Sequence, residues 1–153
     1  DYSKSDIGWL WALGVICEIG VFLYMPRLFG RFRLEHILMA SFFFAVLRFL
    51  LIAWGVEHPA LILLAQVMHA ATFGSYHASA VALVHRFFKG RHQAKGQAIY
   101  NSVSFGAGGS LGSLYAGYTW DLWGATTTYS IAAGCALAAL VLLVWQLRPA
   151  AHA

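Results

Sequence analysis

The sequence is poor in charge and in cysteine. Only 10% of its 153 residues are Asp, Glu, Lys or Arg, whereas a soluble globular domain carries about 25%. Charged side chains are too few to cover several uncharged runs in a chain of this length, which argues against a water-soluble domain. The two cysteines, Cys17 and Cys135, lie inside apolar runs. Neither a disulfide framework nor a zinc site is therefore indicated.

The first residues lack three further features. The chain begins at Asp1 without a methionine, and neither the basic stretch nor the small-residue cleavage site of a signal peptide is visible. We therefore expect the sequence to begin inside a longer protein. Its ten Lys and Arg outnumber its six acids. That excess is confined to turns between apolar segments, so it does not indicate a nucleic-acid partner.

Long apolar segments are what the sequence has in abundance. Leu61–Val84 and Gly96–Trp120 contain no Asp, Glu, Lys or Arg, and each exceeds the roughly 20 residues that cross about 30 Å of hydrocarbon. We expect Pro26 to end the first helix and Arg148–Pro149 the last. The sequence predicts an all-α integral membrane protein with five antiparallel transmembrane helices, at about residues 7–25, 36–56, 60–85, 96–119 and 125–147.

The turns between these helices alternate in charge. One side receives eight basic residues, namely Arg27, Arg31, Arg33, Arg86, Lys89, Arg91, Lys95 and Arg148. The other side receives one basic residue and four acids, namely Lys4, Asp1, Asp6, Glu57 and Asp121. Because Lys and Arg concentrate in cytoplasmic turns, the pattern predicts an external N-terminus and a cytoplasmic C-terminus.

Three ionisable side chains fall deep within the predicted helices. Glu18, Arg48 and His69 each lie roughly 12–16 Å from the external end, at about 1.5 Å per residue. A charge at that depth is costly, so each side chain needs a partner or a water-filled cavity. Structural roles remain open for all three: an internal ion pair or hydrogen bond for Glu18, a snorkelling side chain for Arg48 and a hydrogen-bonded histidine at His69.

Two polar stripes accompany these residues. The third predicted helix carries Gln66, His69, Phe73 and His77 on one broad face, and the fourth carries Gln97 and Asn101. The remaining histidines lie at helix ends, in turns or in the tail, so His69 and His77 have no deep histidine partner on another helix. We expect no haem, no metal and no other cofactor.

Several stretches together resemble one family. They are Ile7–Glu18, Leu47–Leu51, Gln66–Gly74, His85–Phe88, Gln97–Asn101 and Gly106–Gly112. Their pattern is similar to the C-terminal half of a major facilitator superfamily transporter, closest to the bacterial phenylpropionate-permease-like proton symporters. The resemblance implies that residues 1–153 form the C-terminal half-bundle of a twelve-helix transporter, its eighth to twelfth helices, without the first helix of that half. It also implies an N-terminal half in the same protein.

The resemblance further implies a function. It favours proton-coupled symport of a small organic solute across the bacterial inner membrane by alternating access, with an aromatic carboxylate such as 3-phenylpropionate as substrate. Nucleosides and sugars stay open as alternative substrates. Glu18, Arg48 and His69 would couple protons, as in lactose-permease-like symporters, although Thr72 stands in place of their second acid. We expect Glu18 to be the main proton carrier. The expected substrate-binding residues are Arg48, Gln66, His69, Phe73 and Asn101.

Two other classes remain as alternatives. A non-transporting membrane helix-bundle subunit needs packing residues only. The small residues Ser104, Gly108, Gly112 and Ala116, spaced every four positions, are compatible with plain helix packing. A membrane enzyme needs a clustered nucleophile and base, or a set of metal ligands. No deep acid pair and no His/Cys ligand set is visible in the sequence, so we expect no enzymatic activity.

Overall fold

The computed structural model describes residues 2–147, and these are almost entirely helical. Some predictions fall outside the described residues. These are the charges at Asp1 and Arg148, the helix end at Arg148–Pro149 and the tail histidine His152. The α-helices are α1 (Lys4–Arg31), α2 (Leu34–Gly55), α3 (Pro59–His69), α4 (Ser75–Phe87), α5 (Gln93–Asn101) and α6 (Gly108–Leu147). A first π-helix (Ala70–Gly74) joins α3 to α4, and a second (Ser102–Ala107) joins α5 to α6.

Helix α1 begins at a reciprocal cap and is longer than predicted. The Ser3 hydroxyl accepts from the Asp6 N–H at 3.1 Å, and the Asp6 carboxylate accepts from the Ser3 N–H at 3.0 Å. Pro26 does not end this helix, which continues to Arg31; the expected stop was wrong. Proline removes a single intrahelical hydrogen bond, and transmembrane helices tolerate such a loss where neighbouring groups satisfy the freed carbonyl.

The remaining boundaries lie near the predicted ones, with two unpredicted interruptions. Helix α2 begins and ends within two residues of the predicted 36–56. The third predicted helix, 60–85, corresponds to the continuous helical stretch 59–87, which contains the first π-helix. The fourth, 96–119, contains the second π-helix. A π-helix carries one extra residue per turn, so it shifts the helical faces on either side of it.

Helix α6 reverses direction at Gly124. Its φ of 79° and ψ of 174° lie outside the helical region, in conformational space that favours glycine. The hydroxyls of Thr119 and Thr128 lie 2.9 Å apart, although nine residues of straight helix would separate them by about 13 Å. The Tyr115 hydroxyl also donates to the Thr128 carbonyl. The two arms of α6 therefore pack against each other.

The interior of the bundle is made mostly of small side chains, although Met25, Ile37 and Ile62 are also buried, and many large apolar side chains face outward. The largest fully buried side chains are Ser41 and Ser79, whereas Trp9, Leu23 and Trp54 are 73–75% exposed. In lipid, helices associate through close packing of small residues, and large apolar side chains can face the hydrocarbon. This distribution is that of a membrane protein.

Three helical stretches within residues 2–147 are long and apolar enough to cross a membrane. They are Lys4–Arg31, Leu34–Gly55 and Gly90–Gln146. The last combines two predicted spans, and the first π-helix divides another into shorter α-helices. The all-helical membrane architecture is therefore confirmed, but the count of five spans stays a prediction.

Candidate functional site

Helix α1 approaches the third helical stretch closely at two glycines. A Cβ at Gly14 would lie 3.5 Å from Gln66 Oε1 and 3.5 Å from His69 Cδ2. A Cβ at Gly74, the last residue of the first π-helix, would lie 3.2 Å from Glu18 Cγ. A Cβ at Gly14 would make ordinary van der Waals contacts, whereas one at Gly74 would crowd Glu18, so the close approach depends on the glycine at position 74.

Glu18 and His69 meet at this close approach. Glu18 Oε2 lies 3.5 Å from His69 Nε2, and the two side chains are only 15% and 27% exposed, respectively. The other ring nitrogen, His69 Nδ1, is buried and has no hydrogen-bond partner among the described residues. This separation is longer than the roughly 2.6–3.2 Å of direct proton transfer, so a proton passes between the carboxylate and the imidazole only when the two groups approach more closely or share one water.

Arg48 extends from α2 toward the same histidine. Its Nε donates to the Ala65 carbonyl at 3.1 Å, which fixes the plane of the guanidinium. Within residues 2–147 the ion-pair partner of Glu18 is His69 rather than Arg48. Arg48, Gln66 and His69 line a common cavity of about 560 Å³. The structure thus pairs Glu18 with His69 and puts Arg48 and His69 on the same cavity, which Glu18 itself does not line.

Aromatic side chains form part of the wall of this cavity, beside aliphatic ones. Trp11 of α1 and, from the two arms of α6, Trp120 and Tyr129 line it, together with Tyr2. The rings of Trp120 and Tyr129 meet edge to face, with centroids 6.2 Å apart. An apolar cavity with a few convergent polar groups is the usual form of a small-molecule site, commonly about 300–1,000 Å³ in volume.

Arg48 and His69 also line a second, smaller cavity. It measures about 190 Å³ and includes Thr72, Phe73 and Tyr76. The linings of the two cavities therefore share these two side chains.

A row of aromatic rings continues from His69 along the bundle. The rings of His69, Phe73 and His77 are parallel within 3°, with successive centroids 5.6 and 6.0 Å apart. Phe105, from the second π-helix, packs edge-on at 5.7 Å from His77 and 6.4 Å from Phe73. Each π-helix thus contributes a phenylalanine to this row, and π-helices occur frequently at functional sites.

The predicted substrate residues do not all gather at the main cavity. Gln66 lines it, and Phe73 lines the smaller cavity. Asn101 is exposed on α5, where its side-chain oxygen accepts from Gln97 Nε2 at 3.2 Å. It is not among the residues that line either cavity. A role for Asn101 in binding stays a prediction.

Sequence reasoning missed the aromatic wall. Glu18 shares a helical face with Gly14 and Trp11, which lie four and seven residues before it. That face could have pointed from Glu18 to the other two residues. Trp120 and Tyr129 come together only because α6 reverses at Gly124. Within residues 2–147, no three His, Cys, Asp or Glu side chains group closely enough to share a metal ion.

Comparison with known proteins gives two matches. A family model described as "MFS_1 like family" matches residues 1–131. A curated protein of Escherichia coli (strain K12), "Probable 3-phenylpropionic acid transporter", is 29% identical over 123 residues, which cover 80% of this chain and 32% of that protein. The chain therefore spans about a third of the length of this relative. No solved structure matches the chain significantly.

Proposed function

Because the chain belongs to the MFS_1 like family, of the major facilitator superfamily, we propose that it is part of a proton-coupled symporter for a small aromatic carboxylate. The family and the relative indicate a membrane transporter rather than an enzyme. The observation that carries the finer proposal is the Glu18–His69 pair at 3.5 Å, next to an arginine that lines the same 560 Å³ cavity as His69.

Arg48 is the proposed carboxylate-binding residue. Its Nε is occupied by the Ala65 carbonyl, and the two terminal nitrogens of its planar fork remain to bind a carboxylate bidentately. Trp11, Trp120 and Tyr129 offer apolar ring surface to the rest of the solute. The printed name of the relative, a 3-phenylpropionic acid transporter, describes a solute with both an acid and an aromatic ring.

The Glu18–His69 pair is the proposed proton-coupling group. A proton on the pair raises the local positive charge by one, and this favours an anionic solute at Arg48 through Coulomb attraction. Loss of the proton to the opposite side restores the carboxylate charge and weakens solute binding. Proton and solute would then move in the same direction as the site changes its access to the two sides of the membrane.

We further propose that the remainder of the site comes from an N-terminal half of the same protein. In this arrangement the chain supplies five spans of the C-terminal half, with its N-terminus periplasmic and its C-terminus cytoplasmic in a bacterial inner membrane. The open face at Gly106, Gly109 and Gly112 supports such a partner, since a Cβ at each would meet no described atom within 4 Å. The 32% coverage of the relative also supports it.

Uptake by the full-length transporter in proteoliposomes tests this proposal. Labelled 3-phenylpropionate should accumulate when a proton gradient is imposed, and a protonophore should abolish the accumulation. Unlabelled 3-phenylpropionamide is the matched control, because it keeps the ring and lacks the carboxylate; it should fail to compete. If a proton gradient changed the accumulation of none of the acids tested, a non-transporting bundle subunit would be favoured. The 153-residue chain alone should not transport.

A further inference from the structure

Basic side chains line a groove at the end of the bundle opposite the candidate site. The groove measures about 480 Å³ and lies where α1 ends, α2 begins and α4 ends. Its charged lining residues are Arg31, Arg33, Glu35 and Arg86. Arg33 and Arg86 are well exposed, with side chains 70% and 61% accessible, whereas Glu35 is only 15% accessible.

The groove keeps a positive charge after its internal ion pairs are counted. Glu35 Oε1 lies 3.0 Å from Arg86 Nη1, and Glu35 Oε2 lies 3.6 Å from Arg33 Nε. One carboxylate is therefore the ion-pair partner of two guanidinium groups. Arg31 has no acidic partner among the ion pairs of the described chain, and its guanidinium carbon lies 5.7 Å from the Phe32 ring centroid. Three arginines against one acid leave a net charge of +2 in the groove.

An apolar groove continues from the basic one. It measures about 420 Å³ and shares Phe32 with the basic groove. Leu28, Ile37, Ala40 and Phe44 line it, so it runs between α1 and α2 along the bundle. The hydroxyl of Ser41, which also lines it, donates to the Leu38 carbonyl of its own helix at 2.8 Å. This lining offers hydrocarbon contact to an occupant.

We propose that these two grooves together bind one anionic phospholipid, with the headgroup phosphate among Arg31, Arg33 and Arg86 and an acyl chain in the apolar groove. Both α1 and α2 are long and apolar enough to cross a membrane, so their ends lie at headgroup depth. Basic pockets between transmembrane helices are suited to anionic headgroups. A soluble phosphate would use the arginines but would leave the apolar groove empty. The combination of the two grooves therefore favours a lipid.

Lipid titration followed by native mass spectrometry tests this assignment on the purified full-length protein. Phosphatidylglycerol should bind more tightly than phosphatidylcholine with the same acyl chains. The Arg31→Gln and Arg33→Gln substitutions should each weaken phosphatidylglycerol binding by about fivefold, as expected for a basic residue at a membrane surface. Arg91→Gln is the matched control: it removes one basic charge from a residue that lines neither groove, and it should leave binding unchanged.

Two further measurements distinguish binding of the whole lipid from binding of its headgroup alone. Ala40→Trp should fill the apolar groove and weaken phosphatidylglycerol binding, and glycerol phosphate should compete poorly with the lipid. Equal binding of phosphatidylglycerol and phosphatidylcholine by the unsubstituted protein would overturn the proposal, whatever the variants do. Equal effects of Arg31→Gln and Arg91→Gln would overturn the location of the site. Competition by glycerol phosphate at the concentration of the lipid would overturn the role of the apolar groove.

Discussion

Replacing Gly74 by alanine should disturb the Glu18–His69 pair more than it disturbs the fold. The new Cβ would lie 3.2 Å from Glu18 Cγ and 3.5 Å from Val21 Cγ1, whereas carbon atoms pack best at about 3.5–4.0 Å. Glu18 must therefore move by roughly 0.3–0.8 Å to restore that distance. Its carboxylate already lies 3.5 Å from His69 Nε2, at the limit of a polar contact. A shift of that size is enough to separate the pair.

The effect on stability combines two opposed contributions. Overpacking costs roughly 1–3 kcal/mol, while Gly→Ala in a helix gains up to about 1 kcal/mol. The free energy of unfolding should thus fall by about 0–3 kcal/mol. Proton-driven accumulation should fall about fivefold, because an ion pair of partly exposed groups at 3.5 Å contributes at most about 1 kcal/mol.

Thermal unfolding in detergent and gradient-driven uptake by the full-length transporter measure these two effects. Gly134→Ala is the control, since Gly134 lies within α6 and a Cβ there meets no described atom within 4 Å. It should gain up to about 1 kcal/mol of stability from helix propensity and transport normally. If Gly74→Ala matched Gly134→Ala in both assays, the close approach of α1 would have no role in coupling.

Three other substitutions test separate parts of the account. Arg48→Lys should raise the KM for the carboxylate roughly 10- to 100-fold, because a charged bidentate contact is lost; an unchanged KM in uptake assays would remove Arg48 from solute binding. Gly96→Ala should lower the free energy of unfolding by about 1–3 kcal/mol, since its Cβ would come within 2.8 Å of Phe88 Cβ, and adding Phe88→Ala should recover part of that loss in thermal unfolding. A cysteine replacing Arg91 should react with an impermeant thiol reagent only from the cytoplasmic side, and one replacing Glu57 only from outside; the reverse pattern in intact cells contradicts the proposed orientation.

Depth along a helix proved to be the most informative signal in the sequence. Counting residues from the external end placed Glu18, Arg48 and His69 at one level, and the structure brings Glu18 to His69 at 3.5 Å. The contact of these two side chains follows from the nearly constant rise per residue and from the need of charged groups in lipid for partners. Their proton-coupling role stays a prediction. The resemblance to the major facilitator superfamily is confirmed by the family match over residues 1–131.

Local backbone departures limited the remaining predictions. Counting 3.6 residues per turn put Phe73 on one face with His69 and His77, and their rings do stack. It did not predict that Phe105, in the second π-helix, packs against them, because a π-helix inserts an extra residue into a regular helix. The extension of α1 past Pro26 shows that one proline, which removes a single intrahelical hydrogen bond, does not end this long apolar helix. Trp120 meets Tyr129 only because the chain reverses at Gly124. A single glycine in an apolar segment is not enough to predict such a reversal from the sequence.

The central claim is that Glu18 couples the proton to the solute, and Glu18→Gln in the full-length transporter tests it most directly. Two quantities are measured with labelled 3-phenylpropionate in the same proteoliposomes. The first is uphill accumulation under a proton gradient, and the second is solute exchange without a gradient. Glutamine preserves the size of the side chain but cannot release a proton, so accumulation should disappear while exchange remains measurable. Unchanged accumulation in the Glu18→Gln protein would contradict the account and place the proton site outside these residues.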